Sequence, residues 1–279
     1  MPVVYLHGCP DCRLTRPPLG DDAARAAGAR VIAVDRPGYG RSDAAVDEDD
    51  VGLAADVIAL ADALELDRFA VLGWSSGGPG ALALASLHPS RIAVAGVAAG
   101  QVPIEADADP DVFSALDPVI ATRTATMGSM TVVEFADEVA PLLASTDMTL
   151  DIAREHLVEG KSAAYLRDLF AVGGLVDQLA LAAVAAVEQG LEGVIRDLRC
   201  MVSPWTFPLS SIEVPVVLWY GTDDATLGPA AGRWLADRIP GATLEVLEAS
   251  HLLPLVRWES LLTNLVSHVR RKEANATQP

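Results

Sequence analysis

Lysine is almost missing from this chain: it occurs twice, as Lys161 and Lys272, and every other basic side chain is arginine. Basic residues are few altogether, 20 against 38 acidic ones for a net charge of -18. The summed field therefore repels phosphate backbones and anionic headgroups, which makes nucleic acid and membrane surfaces poor partners. Long apolar runs are also lacking. The nearest candidate, LALAAVAAV after Asp177, is far shorter than the roughly 18 residues a spanning helix needs. The first residues, MPVVYLHGCP, have no basic stretch ahead of an apolar one, so no secretion signal is read there and the cytoplasm is the expected compartment. Cysteine is limited to 3 residues, an odd number that does not make a disulfide framework.

What is present is a globular composition, 51% apolar with 22 Gly and 18 Pro in 279 residues. A chain of this length buries roughly three quarters of its unfolded surface. Length alone leaves the number of domains open. Short β-branched runs alternate with longer Ala/Leu-rich stretches of helical period, the pattern of a parallel sheet with crossover helices on both faces. Strands are predicted over 3–8, 30–35, 69–74, 92–98, 215–221 and 243–249, nearly continuous in hydrophobicity as suits strands covered on both sides. A crossover helix is predicted over 52–66.

The rhythm breaks between about Pro103 and Pro208, where no strong strand appears. Thr149 and Ser162 stand as caps before DIAREHLVEG and AAYLRDLFAVGG, with Gly160 and the pair Gly173 and Gly174 positioned to close these helices. We therefore expect an α/β core made of 1–102 and 209–279, with 103–208 forming a helical cap over one edge of the sheet. No internal repeat and no low-complexity tract is evident.

The most informative stretch is FAVLGWSSGGPGALALA. Gly73, Ser75 and Gly77 give G-x-S-x-G directly after a strand and before a helix, the context in which a serine is held on a strained turn as a nucleophile. Ser76 is the weaker candidate, because Trp74 takes one of its flanking positions. Its backbone N–H, at the start of the helix, suits charge developing on a substrate oxygen. A Gly-rich turn of this kind also opens helices that merely pack or bind phosphate, and the preceding strand is what weighs against that reading.

VVYLHGCP, VIAVDRPGYGRSD, GWSSGG, VVLWYGTDD and EASHLLPL occur in the order and at the spacing of the α/β-hydrolase superfamily, which this chain resembles over nearly all its length outside the cap. The resemblance implies Ser75 as nucleophile, Asp224 as acid and His251 as base. It further implies an oxyanion hole made by the backbone N–H groups of Cys9 and Ser76. Asp223 stays open as the rival acid, since adjacent side chains at a strand end point opposite ways. His7, His88, His156 and His268 are read as structural. Asp35 and Arg36 are read as braces for loops, and Gly38 and Gly40 as serving backbone geometry.

Cys9-Pro-Asp-Cys12 also matches a thiol-disulfide motif, in which a helix N-terminus acidifies the first thiol. That reading leaves Ser75, Asp224 and His251 unexplained. Oxidation of Cys9 to Cys12 remains as a way to distort the oxyanion loop. A zinc site is disfavoured because His7, Cys9 and Cys12 are crowded and lack a fourth ligand at a familiar spacing. No cofactor is expected.

Members of the superfamily commonly carry two strands before the one with the His-Gly pair, and here those strands are not found. The strand over 30–35 is then expected to present an open edge, with reduced stability or pairing of two copies as its consequence. A serine nucleophile excludes the carboxylate-based opening of epoxides and haloalkanes. The function read from the sequence is a serine hydrolase of an ester, thioester or lactone with a small-molecule acyl substrate. Hydrolysis of a carbon–carbon bond next to a ketone, or a lyase, cyclase or receptor on the same fold, are the alternatives. Trp74, Trp205 and Phe207 are the predicted pocket walls.

Overall fold

The computed structural model of the protein describes residues 1–45, 49–103 and 148–276, with single positions at 112, 126, 130, 134, 137 and 138; for 272–276 it describes the backbone alone. Six strands form one parallel sheet: β1 (Pro2–Leu6), β2 (Arg30–Val34), β3 (Phe69–Trp74), β4 (Ile92–Ala98), β5 (Val216–Gly221) and β6 (Thr243–Leu247), in the order β2-β1-β3-β4-β5-β6. All six predicted strands form. Several end one or two residues early, so that His7, Gly8 and Ala249 fall in loops.

Side chains that alternate along each strand build two cores. Val4 and Leu6, Val71, Val97, Leu218 and Tyr220 face one side, against α2 (Asp50–Ala63), α3 (Gly78–Leu87) and α8 (Pro229–Ala236). Val3 and Tyr5, Leu72, Val94 and Trp219 face the other, against α1 (Gly20–Ala27), α9 (Leu253–Val256) and α10 (Trp258–Ala276). The sheet is thus covered on both faces, as its continuous apolar strands require. Among the described residues β2 pairs with β1 alone and lies at one edge, where the sequence expected an open strand.

Four further described helices stand between β4 and β5: α4 (Leu150–Val158), α5 (Ala163–Ala171), α6 (Leu175–Ala186) and α7 (Glu192–Met201). Thr149 caps α4 by accepting from the Ile152 N–H at 3.3 Å, and Ser162 caps α5 by accepting from the Tyr165 N–H at 3.2 Å. Two expected ends differ. Gly174, with φ +79°, precedes α6 instead of closing α5, which ends at Ala171 with Val172 as its C-cap. The helix predicted over 52–66 begins at Asp50, because the Asp49 carboxylate accepts from the N–H groups of Val51 and Gly52 at 3.0 and 3.1 Å. Such a cap is worth about 1 kcal/mol. The expected start of the helical block, at 103, adjoins residues outside those described.

No single helix among the described residues is long and apolar enough to cross a membrane. Only α5 and α6 taken together reach that apolar length, across a 100° bend. Leu169, Leu175 and Leu179 from these two helices are buried in the protein's own core.

Candidate active site

The carboxyl ends of parallel strands leave a crevice where loops converge, the usual ligand position in open α/β sheets. β1 and β3 are neighbours, with Leu6 opposite Gly73. The loop that starts at His7 therefore runs beside the turn that starts at Ser75.

Ser75 follows β3 with φ +52°, a left-handed conformation that costs a non-glycine residue of order 1–3 kcal/mol. Its neighbours show why the sequence needs glycine there. A Cβ on Gly73 would stand 2.3 Å from the carbonyl oxygen of Gly77, and one on Gly77 the same 2.3 Å from the carbonyl oxygen of Leu6. The two serines of the turn then part. Ser75 opens on a cavity, whereas the Ser76 hydroxyl is turned inward, accepting from Arg36 Nη2 at 2.9 Å and donating to Asp197 Oδ2 at 3.0 Å.

Asp223 and Asp224 part in the same way. Asp224 Oδ2 lies 2.7 Å from Nδ1 of His251, and its Oδ1 accepts from the N–H groups of Thr226 and Leu227 at 2.8 and 3.0 Å. Burial by itself would raise this carboxyl. The His251 imidazole and the two N–H donors outweigh burial and hold it below the ordinary carboxylate range. Asp223 instead pairs with Arg167 of α5 at 2.9 Å. His251 is held from two further sides. Trp74 Nε1 donates to its carbonyl oxygen at 3.0 Å, and the preceding Ser250 N–H donates to the buried Asp168 of α5 at 2.6 Å.

The loop after β1 rests on a buried ionic core. Gly8 O accepts from His7 Nδ1 at 2.7 Å and from Arg36 Nη2 at 3.0 Å. Because His7 Nε2 accepts from the Arg36 N–H at 3.1 Å, Nδ1 is the nitrogen that carries the proton. Burial first, and the nearby Arg36 charge second, push His7 down to about 3, so the ring is neutral. Arg36 is fully buried and reaches Asp197 of α7 through both terminal nitrogens, one of them at 2.6 Å. Burial opposes the Asp197 charge, but Arg36 and Arg196 outweigh it and keep the carboxyl below its usual range. The N–H groups of Cys9 and Ser76 are taken up by no other group among the described residues.

Ser75, His251 and Asp224 line one cavity of about 550 Å³, together with His156 of α4, Tyr165 of α5 and Leu179 of α6. Trp74 is on its wall, as expected. Trp205 and Phe207 are not. They stack on each other with ring centroids 5.2 Å apart and line a separate cavity with Asp49 and Cys200. The chain leaves α7 toward the opposite core, so their position after the helical block carries them away from Ser75.

The C-x-x-C pair departs from the redox reading. Both thiols are free, and burial raises them, Cys12 to about 11, the reverse of the acidic thiol that exchange chemistry uses. Cys12 Sγ instead donates to the Ala182 carbonyl of α6 at 3.4 Å, tying the loop to the helical segment. No cluster of metal-ligating side chains occurs among the described residues.

From the sequence Arg36 reads only as a loop brace, and nothing there marks Asp168 or Asp197. The DRPGYGRSD motif pointed to the first. Asp168 and Asp197 sit inside helices, and no local sign points to partners 82 and 161 positions away.

A family model described as alpha/beta hydrolase fold matches residues 1–257. The chain belongs to that family. It is 30% identical to the pimeloyl-[acyl-carrier protein] methyl ester esterase of Neisseria meningitidis serogroup B (strain H44/76) over 81% of its own length and 76% of the relative. It is also 30% identical to a non-heme chloroperoxidase of Streptomyces lividans, over 79% and 74% of the two chains. Among solved structures, the thermophilic esterase from Thermogutta terrifontis superposes with a TM-score of 0.67 at 21% identity, covering 97% of this chain and 90% of the other. At that identity the likeness speaks for the fold.

Proposed function

We propose that this hydrolase cleaves a small carboxylic ester, thioester or lactone through an acyl-enzyme on Ser75. The observation that carries the reading is the Asp224–His251 pair, 2.7 Å apart, opening on the same cavity as a serine held at φ +52°. His251 takes the hydroxyl proton as Ser75 Oγ attacks the carbonyl carbon, and Asp224 fixes the ring and stabilises the imidazolium. The charge that gathers on the carbonyl oxygen is met by the N–H groups of Cys9 and Ser76. Collapse breaks the bond to the leaving alcohol or thiol, which receives the proton from His251. Water then gives its proton to His251 and attacks the acyl group, and the acid leaves as Ser75 regains its hydrogen.

In this reading 1–102 and 209–279 form the catalytic core and 103–208 form the cap, whose helices α4 to α6 contribute side chains to the cavity wall. The esterase named among the relatives supports ester cleavage. The acidic surface and three cysteines, the two of the C-x-x-C pair read as free thiols, suit a reducing, cytoplasmic setting.

Labelling with a fluorophosphonate followed by mapping of the adduct tests the assignment. Modification at Ser75, with turnover of short acyl esters abolished in Ser75→Ala, is the expected result. Labelling elsewhere, or full turnover in that variant, overturns it.

A further inference from the structure

Asp11 stands on the wall of the Ser75 cavity, two residues beyond the N–H of Cys9. The space that a Cβ on Gly8 would enter is bounded by Ser75 Cβ at 3.2 Å and by Asp11 Oδ2 at 3.3 Å, so the carboxyl and the carbon that bears the nucleophile border the same spot beside Gly8. Its Oδ1 accepts from the Thr15 hydroxyl at 2.8 Å, while Oδ2 has no donor among the described residues. The other acids on this wall are matched: Asp224 by His251 and Asp223 by Arg167. Lys161, on the same wall, has its ammonium over the Tyr165 ring at 5.7 Å. Asp11 makes no ion pair among the described residues.

Asp11 is only partly buried, so this oxygen stands on the cavity wall open to a donor, and nothing in the proposed acyl transfer uses it. It fits a donor brought by the substrate, and its place beside Ser75 limits that donor to the immediate neighbourhood of the scissile carbonyl. We propose that Asp11 sets substrate specificity by accepting a hydrogen bond from an ammonium or hydroxyl group on the carbon next to that carbonyl, so that α-amino or α-hydroxy acyl esters are taken ahead of plain alkyl ones. The inference rests on Ser75 being the residue that is acylated.

Three p-nitrophenyl esters of one shape test it: alanyl, lactyl and isobutyryl, which place an ammonium, a hydroxyl or a methyl at the same position. A hydrogen bond to a charged group corresponds to about tenfold or more in kcat/KM. Asp11→Ala is therefore expected to lower the alanyl or lactyl rate about tenfold or more relative to the isobutyryl rate. Loss confined to the alanyl ester assigns the donor as ammonium, and loss with the lactyl ester assigns it as hydroxyl. An unchanged ratio for both overturns the inference. If the variant does not fold, the wild-type enzyme answers through inhibition by 1-aminoethyl- and 1-hydroxyethylboronic acids against isopropylboronic acid, and equal potency of all three overturns it. Turnover surviving in Ser75→Ala is a separate outcome that removes the hydrolase reading itself.

Discussion

Arg36 donates through Nη2 to the carbonyl oxygen of Gly8 at 3.0 Å, and that carbonyl belongs to the same peptide group as the N–H of Cys9. A peptide whose oxygen already accepts from Arg36 and from His7 is fixed in plane and polarised, which strengthens its N–H as a donor. Arg36 in turn is held by Asp197 of α7. The helical segment between β4 and β5 thus reaches the loop beside Ser75 through one buried ion pair.

That pair gives the first prediction. Arg36→Met leaves Asp197 buried without its main partner, and breaking a buried pair from one side costs about 3–5 kcal/mol. Arg36→Met combined with Asp197→Leu removes both charges and is expected to be less destabilised than either single variant. Urea unfolding of the four proteins reads the coupling directly. Equal losses that simply add in the double variant would contradict it.

The two acids after β5 separate by role. Asp224→Asn removes the charge beside Nδ1 of His251 and is expected to lower kcat by about a thousandfold or more, with little change in KM. Asp223→Asn loses only a partly exposed contact with Arg167, so kcat is expected to stay within about threefold of wild type. Steady-state kinetics on one short acyl ester compare them, and an equal loss in both variants would remove Asp224 from its assigned position.

Glycines that look alike in the sequence differ in what an added methyl would meet. Gly73→Ala drives a Cβ to 2.3 Å from backbone at Gly77, where nothing flexible can yield, and is expected to abolish soluble, folded protein. Gly160→Ala has open space around its Cβ, and its cost is confined to the left-handed φ of +69°, about 1 kcal/mol. Soluble yield and thermal melting distinguish the two. A well-folded Gly73→Ala protein would mean that the turn has another conformation.

The six strands and the strand–turn–helix around Ser75 were legible because each rests on local chemistry, whereas His251 was singled out by the family resemblance. Continuous apolar runs and a glycine on either side of Ser75 are properties of a few adjacent residues. Asp223 against Asp224 could be narrowed but not closed, since which side chain turns inward depends on how the loop leaves β5. Trp205 and Phe207 were misplaced because nearness to the end of a helical block does not say which face of the sheet the chain returns to. Asp11, Asp168 and Asp197 act through partners 4, 82 and 161 positions away. For the last two no window of sequence contains both halves of the interaction. The Thr15 partner of Asp11 was within reach, and the resemblance already set that loop beside Ser75, yet nothing local marked the Asp11 side chain as part of a cavity wall.

Asp11 also predicts how stability depends on pH. Burial pushes its carboxyl up to about 7; Thr15, Arg36 and His251 pull it down and Asp197 pushes it further up, without restoring the ordinary value near 3.9. A carboxyl with a raised folded-state pKa makes the folded protein bind the extra proton between those two values, so its contribution is intact below about pH 4 and declines until about pH 7. Asp11→Asn abolishes that titration while keeping an oxygen for Thr15. The variant is therefore expected to gain a few °C in melting temperature over wild type at pH 8, with little or no gain at pH 4.5. Scanning fluorimetry of both proteins across that range makes the comparison. A difference in Tm independent of pH would mean that the Asp11 carboxyl titrates alike in the folded and unfolded chains.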